Sequence, residues 1–86
     1  MNQVNICGIV KNELEKELKD GINYGYLIIE YKSKYEMNPQ TIKCTFAGPV
    51  LEKIENNIHK DDNIEIIAHL ITEDNHIQVI VDEVNI

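Results

Sequence analysis

Apolar positions along this chain fall mostly in short, β-branched runs separated by polar punctuation, with the longest helical spacing over residues 50–58. Residues 3–10 read Gln-Val-Asn-Ile-Cys-Gly-Ile-Val, a strand interrupted at Gly8, where a bulge or a close backbone approach is expected. Residues 24–32, Tyr-Gly-Tyr-Leu-Ile-Ile-Glu-Tyr-Lys, form a second strand. Residues 41–47 alternate, with Ile42, Cys44 and Phe46 on one face and Thr41, Lys43 and Thr45 on the other, the period of two that a half-buried strand requires. Gly48-Pro49 ends that strand, and Pro49 suits the first turn of a helix because its missing N–H costs nothing there. Val50, Leu51, Ile54 and Ile58 follow at helical spacing, with Glu52, Lys53, Glu55 and Asn56 turned outward. Lys60-Asp61-Asp62-Asn63 is a polar turn. Residues 64–71 and 76–86 are two further strands, joined by a hairpin-like turn at Thr72-Glu73-Asp74-Asn75.

Residues 12–20 support two readings. Asn12 could cap a helix, Glu15 stands three residues later as in a capping box, and Leu14 and Leu18 share a helical face. Two turns of helix are marginal alone, so the segment is either a short helix or an irregular extension of the first strand.

The predicted order is β-β-β-α-β-β. An all-β chain with one helix between the third and fourth strands is the order of the OB fold, a five-stranded Greek-key barrel. Closing the sheet limits the exposed edges that an open five-stranded sheet would carry. The length of 86 residues allows one domain, taken as 1–86. A core of this size leaves little margin, which favours association into a homodimer or homotetramer.

Charge narrows the functional classes. The formal net charge is −7, from eight lysines, no arginine and fifteen acidic residues. Such a chain repels polyanions at long range, so any binding to nucleic acid must come from a local patch. Neither Cys7 nor Cys44 belongs to a C-x-x-C pair, and both fall in apolar runs. Two reduced core thiols are expected rather than a disulfide. The sequence opens without a basic region followed by an apolar run, and no stretch is long enough to span a membrane, so a cytoplasmic protein is expected.

Four pieces of the chain resemble the bacterial single-stranded DNA-binding protein family. Asn2-Gln3-Val4-Asn5-Ile6-Cys7-Gly8-Ile9-Val10 is similar to the family's opening strand, with Asn, Val and Gly at matching spacing. Residues 44–52, with Gly48 and Glu52 in register, resemble its third strand running into the helix. Residues 60–72 follow its "K-G-D-x-V-x-V-x-G-x-L-x-T" run without a gap. Val79-Ile80-Val81-Asp82-Glu83-Val84 resembles its last strand. The resemblance implies an OB barrel that binds single-stranded DNA without sequence preference and is not an enzyme. It also implies a replication or recombination protein as a possible partner.

The chain departs from the family pattern at the binding face. Three positions that carry stacking aromatics in the family fall here on Thr41, Ala47 and Tyr35, so two of the three lack a ring. Phe46 does not replace them, because alternation places it with the core. The basic residue late in the fourth strand is His69, and the last hairpin is short and acidic. The sequence ends at Ile86, so recruitment through the acidic tail of many bacterial members is not expected.

Sequence-tolerant binding needs a cationic track for phosphates and flat rings for bases. Tyr31-Lys32-Ser33-Lys34-Tyr35 offers both, and Lys43 on the outward face of the third strand extends the track. Residues 31–47 hold three lysines against Glu36 alone, on an otherwise acidic body. Tyr31 and Tyr35 are expected to stack bases, and Lys32, Lys34 and Lys43 to contact phosphates, with modest affinity lost at moderate salt. The alternative for the same residues is strand-end packing by Tyr31 and an ordinary solvated loop. Tyr24 and Tyr26 are weaker candidates, with one or both expected inside the barrel. The acidity and missing rings also support a second functional class, an OB module that binds a protein and has little affinity for DNA.

Other chemistry finds no residues. His59, His69 and His76 lack ligand-like spacing, so no metal or cofactor is expected. Ser33 is the sole serine and lies in no nucleophile elbow. The four glycines are scattered rather than gathered into a phosphate loop.

Overall fold

The computed structural model describes residues 2–32, 34, 35 and 37–86. Its elements are β1 (Val4–Val10), β2 (Glu15–Lys19), β3 (Ile22–Tyr31), β4 (Gln40–Ala47), α1 (Pro49–Ile54), β5 (Asn63–Glu73) and β6 (His76–Asn85). One sheet runs β1-β5-β6-β4-β3-β2, and a further pairing of β1 with β3 at Ile9 and Val10 closes it into a ring. All pairings are antiparallel except β4 with β6. With β1 and β2 taken as two halves of one bent strand, the ring has five members and the helix stands between the third and fourth: the OB barrel expected from the sequence.

Residues 12–20 are the extension, not the helix. Asp20 and Gly21 both take positive φ, 51° and 76°, the two left-handed residues of a tight hairpin turn. That turn folds residues 15–19 back onto β3 in a continuous antiparallel ladder from Glu15–Tyr26 to Lys19–Ile22. Ladder hydrogen bonds along a strand outweigh the local helical signals of so short a segment. Asn12 has a different job from capping. Its Oδ1 accepts the backbone N–H of Ile28 at 2.7 Å, beside a bond from the Lys11 N–H to the Ile28 carbonyl at 2.8 Å. The bend between β1 and β2 is thereby fastened to β3.

The barrel interior is filled by inward positions of every long strand. Val10, Leu27, Ile29, Cys44, Phe46 and Ile66 are fully buried. Helix α1 closes one end, with Leu51 and Ile54 turned inward. Gly48 precedes it at φ 61°, a conformation that favours glycine, and Pro49 occupies the first turn. The helix ends at Ile54, earlier than the apolar spacing suggested. The Ile58 N–H still reaches the Ile54 carbonyl at 3.2 Å, and the side chain of Ile58 is buried.

Gly8 is a close-approach glycine. A Cβ there would fall against the carbonyl oxygen of Glu30 and the Ile29 side chain, where β1 meets β3 to close the barrel. Over Val4–Gly8 the described structure gives β1 a neighbour on the β5 side alone. The cysteines divide: Cys44 is buried in the core, whereas Cys7 is exposed on the outward face of β1 opposite Glu65. The expectation of two core thiols therefore holds for one of them. Strand parity sets the difference, since Ile6 and Val10 take the inward positions of β1. Among the described residues no helix is long and apolar enough to cross a membrane.

Candidate nucleic-acid interface

The outward face of β3, β4, β6 and β5 carries the candidate site. Ladder partners run in one row across these four strands: Tyr26 opposite Thr45, Thr45 beside Ile80, and Ile80 opposite His69. Around that row lies a groove of about 720 Å³. Its walls come from Tyr24 and Tyr26 on β3, Lys43 on β4, Ile71 on β5 and Gln78 on β6. The β2–β3 turn bounds it with Lys19 and Asp20, and the β5–β6 hairpin with Glu73 and Ile77. The strand face between those two loops is where OB barrels bind oligonucleotides.

Tyr24 and Tyr26 face outward because Gly25, Leu27 and Ile29 take the alternate, inward positions of β3. The expectation that one or both pack inside the barrel is thus corrected. Two neighbouring strands hold Tyr26. From β2, Glu17 Oε1 accepts its hydroxyl at 2.9 Å. From β4, the Lys43 ammonium stands over its ring, 4.3 Å from the centroid. Partial burial raises the phenol above its ordinary pKa, and the Glu17 carboxylate raises it further. The ring therefore stays neutral and its hydroxyl remains a donor.

Charge in the groove is mixed. Lys19, Lys43 and His69 line it together with Asp20 and Glu73. His69 Nδ1 lies 2.8 Å from Asp82, which orients the imidazole from β6. Among the described residues no group of three metal-ligating side chains gathers.

Of the five residues selected from sequence, Lys43 lies in the groove. Tyr31 is half-buried and packs against the core, on the inward parity of Leu27 and Ile29. Lys32, Lys34 and Tyr35 are exposed in the connection from β3 to β4 and do not line the groove. There the Lys34 ammonium lies 5.0 Å from the Tyr35 ring centroid. Ser33 and Glu36, also part of that stretch, lie outside the described residues. The tyrosines that reach the groove carried a legible signal: Tyr24 and Tyr26 alternate with Leu27 and Ile29, so a core strand had to turn them out. The resemblance marks His69 as the basic residue of its strand, and alternation with Ile64, Ile66 and Ala68 turns it outward; nothing local marks Lys19, which arrives with the β2–β3 turn.

No family model and no curated protein matches the sequence. Solved structures are similar in fold. The single-stranded DNA-binding domain of a Synechococcus sp. protein superposes with a TM-score of 0.81 at 12% identity, over 100% of this chain and 96% of that one. A mitochondrial single-stranded DNA-binding protein from S. cerevisiae gives 0.87 at 11% identity, over 98% and 91%. The dimeric N-terminal domain of the PriB protein from Thermoanaerobacter tencongensis gives 0.80 at 18% identity, over 98% and 93%. At these identities the likeness is one of architecture. The chain thus shares the OB-barrel architecture of these structures.

Proposed function

We propose that the protein binds single-stranded DNA without sequence preference, as a binding protein and not an enzyme, in the groove between its two hairpins. The observation that carries this reading is the placement of Tyr24, Tyr26 and Lys43 on the outward strand face around the Tyr26–Thr45–Ile80–His69 row. Tyr26 and Tyr24 would supply stacking surface in place of the rings missing at Thr41 and Ala47. A stacked base contributes ~1–3 kcal/mol. An ammonium over an accessible ring contributes ~0.5–1 kcal/mol, so a base can replace Lys43 on Tyr26 with a net gain. Lys43 and Lys19 would contact phosphates at the groove. Lys32, Lys34 and Tyr35 would continue the track from the β3–β4 connection, whose departure from the barrel the half-buried Tyr31 fixes.

With so few cations on a chain of net charge −7, affinity is expected to be modest and steeply salt-dependent. The setting we propose is cytoplasmic, as a homodimer or homotetramer, with a replication or recombination protein as a further partner. The side of β1 over Val4–Gly8 that no described strand pairs supports a second copy, since an open strand edge is a template for pairing. The test is oligo-dT binding titrated against salt. Binding at low salt that Tyr26→Leu weakens at least several-fold supports the reading, and no binding by folded protein at low salt rejects it.

A second reading has its own observation. Glu17, Asp20, Glu73 and Asp82 surround the groove, which suits a cationic peptide better than a phosphate backbone. On that reading oligo-dT binding is absent, and a lysine-rich peptide binds in a way that Glu17→Gln weakens.

A further inference from the structure

Tyr26 sits between two strands that treat it in opposite ways. On the β2 side, Glu17 pins its hydroxyl. On the β4 side, towards Thr45, Ile80 and the middle of the groove, Lys43 covers its ring. The bond anchors the hydroxyl and so opposes a swing of the whole ring away from Lys43, while a flip about the axis through the hydroxyl leaves the ring in the same place. The face that a base would use is therefore the one the ammonium occupies.

We propose that Lys43 is a displaceable cover for the Tyr26 ring, a reading that rests on the proposed binding of single-stranded DNA. A nucleobase takes the ring face, and the released ammonium moves to a neighbouring phosphate. The lysine stem is flexible and its head is a compact point charge, so the exchange needs no backbone movement. The hydroxyl–carboxylate bond enriches the ring in electron density, which holds the cover in the free protein. The exchange couples two recognition events, one for a base and one for a phosphate, through a single side chain. Groove occupancy therefore requires a strand that carries both, and a bare polyphosphate or an isolated base gains one half of it.

The experiment follows the Lys43 side-chain methylene resonances by NMR. Over an aromatic face these protons are shifted upfield, and Tyr26→Leu supplies the uncovered value for the same lysine. Saturation with oligo-dT at low salt is expected to move the Lys43 signals to that uncovered value and to shift the Tyr26 ring protons. An abasic deoxyribose-phosphate strand of equal length is expected to leave Lys43 over the ring. Lys43→Met is expected to lower the slope of log affinity against log salt by about one, with the Tyr26 ring shift on oligo-dT retained.

Lys43 signals that stay in place when oligo-dT saturates the groove overturn the proposal while leaving the binding function intact. Release of Lys43 by the abasic strand overturns it as well, because phosphate alone then moves the lysine. Loss of the Tyr26 ring shift in Lys43→Met, with the fold intact by its amide spectrum, also overturns it. Absence of oligo-dT binding at low salt removes both the cover and the function it serves.

Discussion

Tyr26 and Glu17 are joined across the β2–β3 ladder by a 2.9 Å hydrogen bond in which the phenol donates. Glu17 thereby places a carboxylate beside the groove that is proposed to accept phosphates. Glu17→Gln retains an acceptor for the hydroxyl and removes the charge. An exposed charge interaction of this kind is worth ~0.2–1 kcal/mol. Oligo-dT affinity at low salt is therefore expected to rise about 1.5- to 5-fold, and the gain should shrink as salt screens it. A salt-titrated binding curve for the variant checks this, and unchanged or weaker binding contradicts it.

Asn12 fastens the bend of the first strand to Ile28 through its side-chain oxygen. In Asn12→Ala the Ile28 N–H loses that acceptor. The expected loss is about 1 kcal/mol of folding stability, read from urea denaturation. Asn12→Asp keeps the acceptor and should recover most of it. Equal destabilisation in both variants would assign the effect to something other than this bond.

Glu13 ties the segment before β2 to the turn before β5. Its Oε2 accepts the Lys60 N–H at 2.6 Å and its Oε1 lies 3.2 Å from His59 Nδ1. The bond from the Lys60 backbone, and then that from His59, lower the carboxyl below its ordinary value of 4.5. A carboxylate with a depressed folded-state pKa stabilises the fold above the ordinary value and loses that contribution as pH falls through the depressed one. Thermal melts of the protein and of Glu13→Gln should therefore differ at neutral pH and converge as the medium is acidified below 4.5. A gap that stays constant across this range excludes the linkage.

Gly8 lets β1 approach the Glu30 carbonyl where the barrel closes. Backbone cannot retreat as a flexible side chain can, so Gly8→Ala must push β1 and β3 apart. A cost of about 1–3 kcal/mol is expected, together with faster amide exchange at Ile9 and Val10, whose ladder partners are Glu30 and Ile29. An alanine variant of unchanged stability would show that the seam has slack.

Strand order and core parity were legible in the sequence because each long strand alternates around a buried set, as Ile42, Cys44 and Phe46 do on β4. The segment 12–20 was not, since two signals compete there. Asn12 and Glu15 mimic a capping box, while Asp20-Gly21 is a strong hairpin signal. Giving the dipeptide precedence resolves the segment as a strand, because a turn that fixes register also supplies a ladder of hydrogen bonds. At the candidate site the residue types were better guides than their location. Lys43 follows from alternation. Tyr31 carries the same chemistry but falls on the inward parity of β3. Tyr24 and Tyr26 are outward by the same count, against the expectation that one or both lie inside the barrel. Lys19 becomes a neighbour of the groove through the β2–β3 hairpin, a long-range arrangement that no window of sequence displays.

The separation of the two cysteines equips the molecule with a reporter of its own opening. Burial pushes the Cys44 thiol up to about 12, so it is neither ionised nor reachable in the folded state, whereas Cys7 meets solvent. An alkylating reagent should therefore modify one sulfur promptly and the second only when the barrel comes apart. The lag between the two additions, followed by mass, measures how often the native molecule visits an open form without any denaturant.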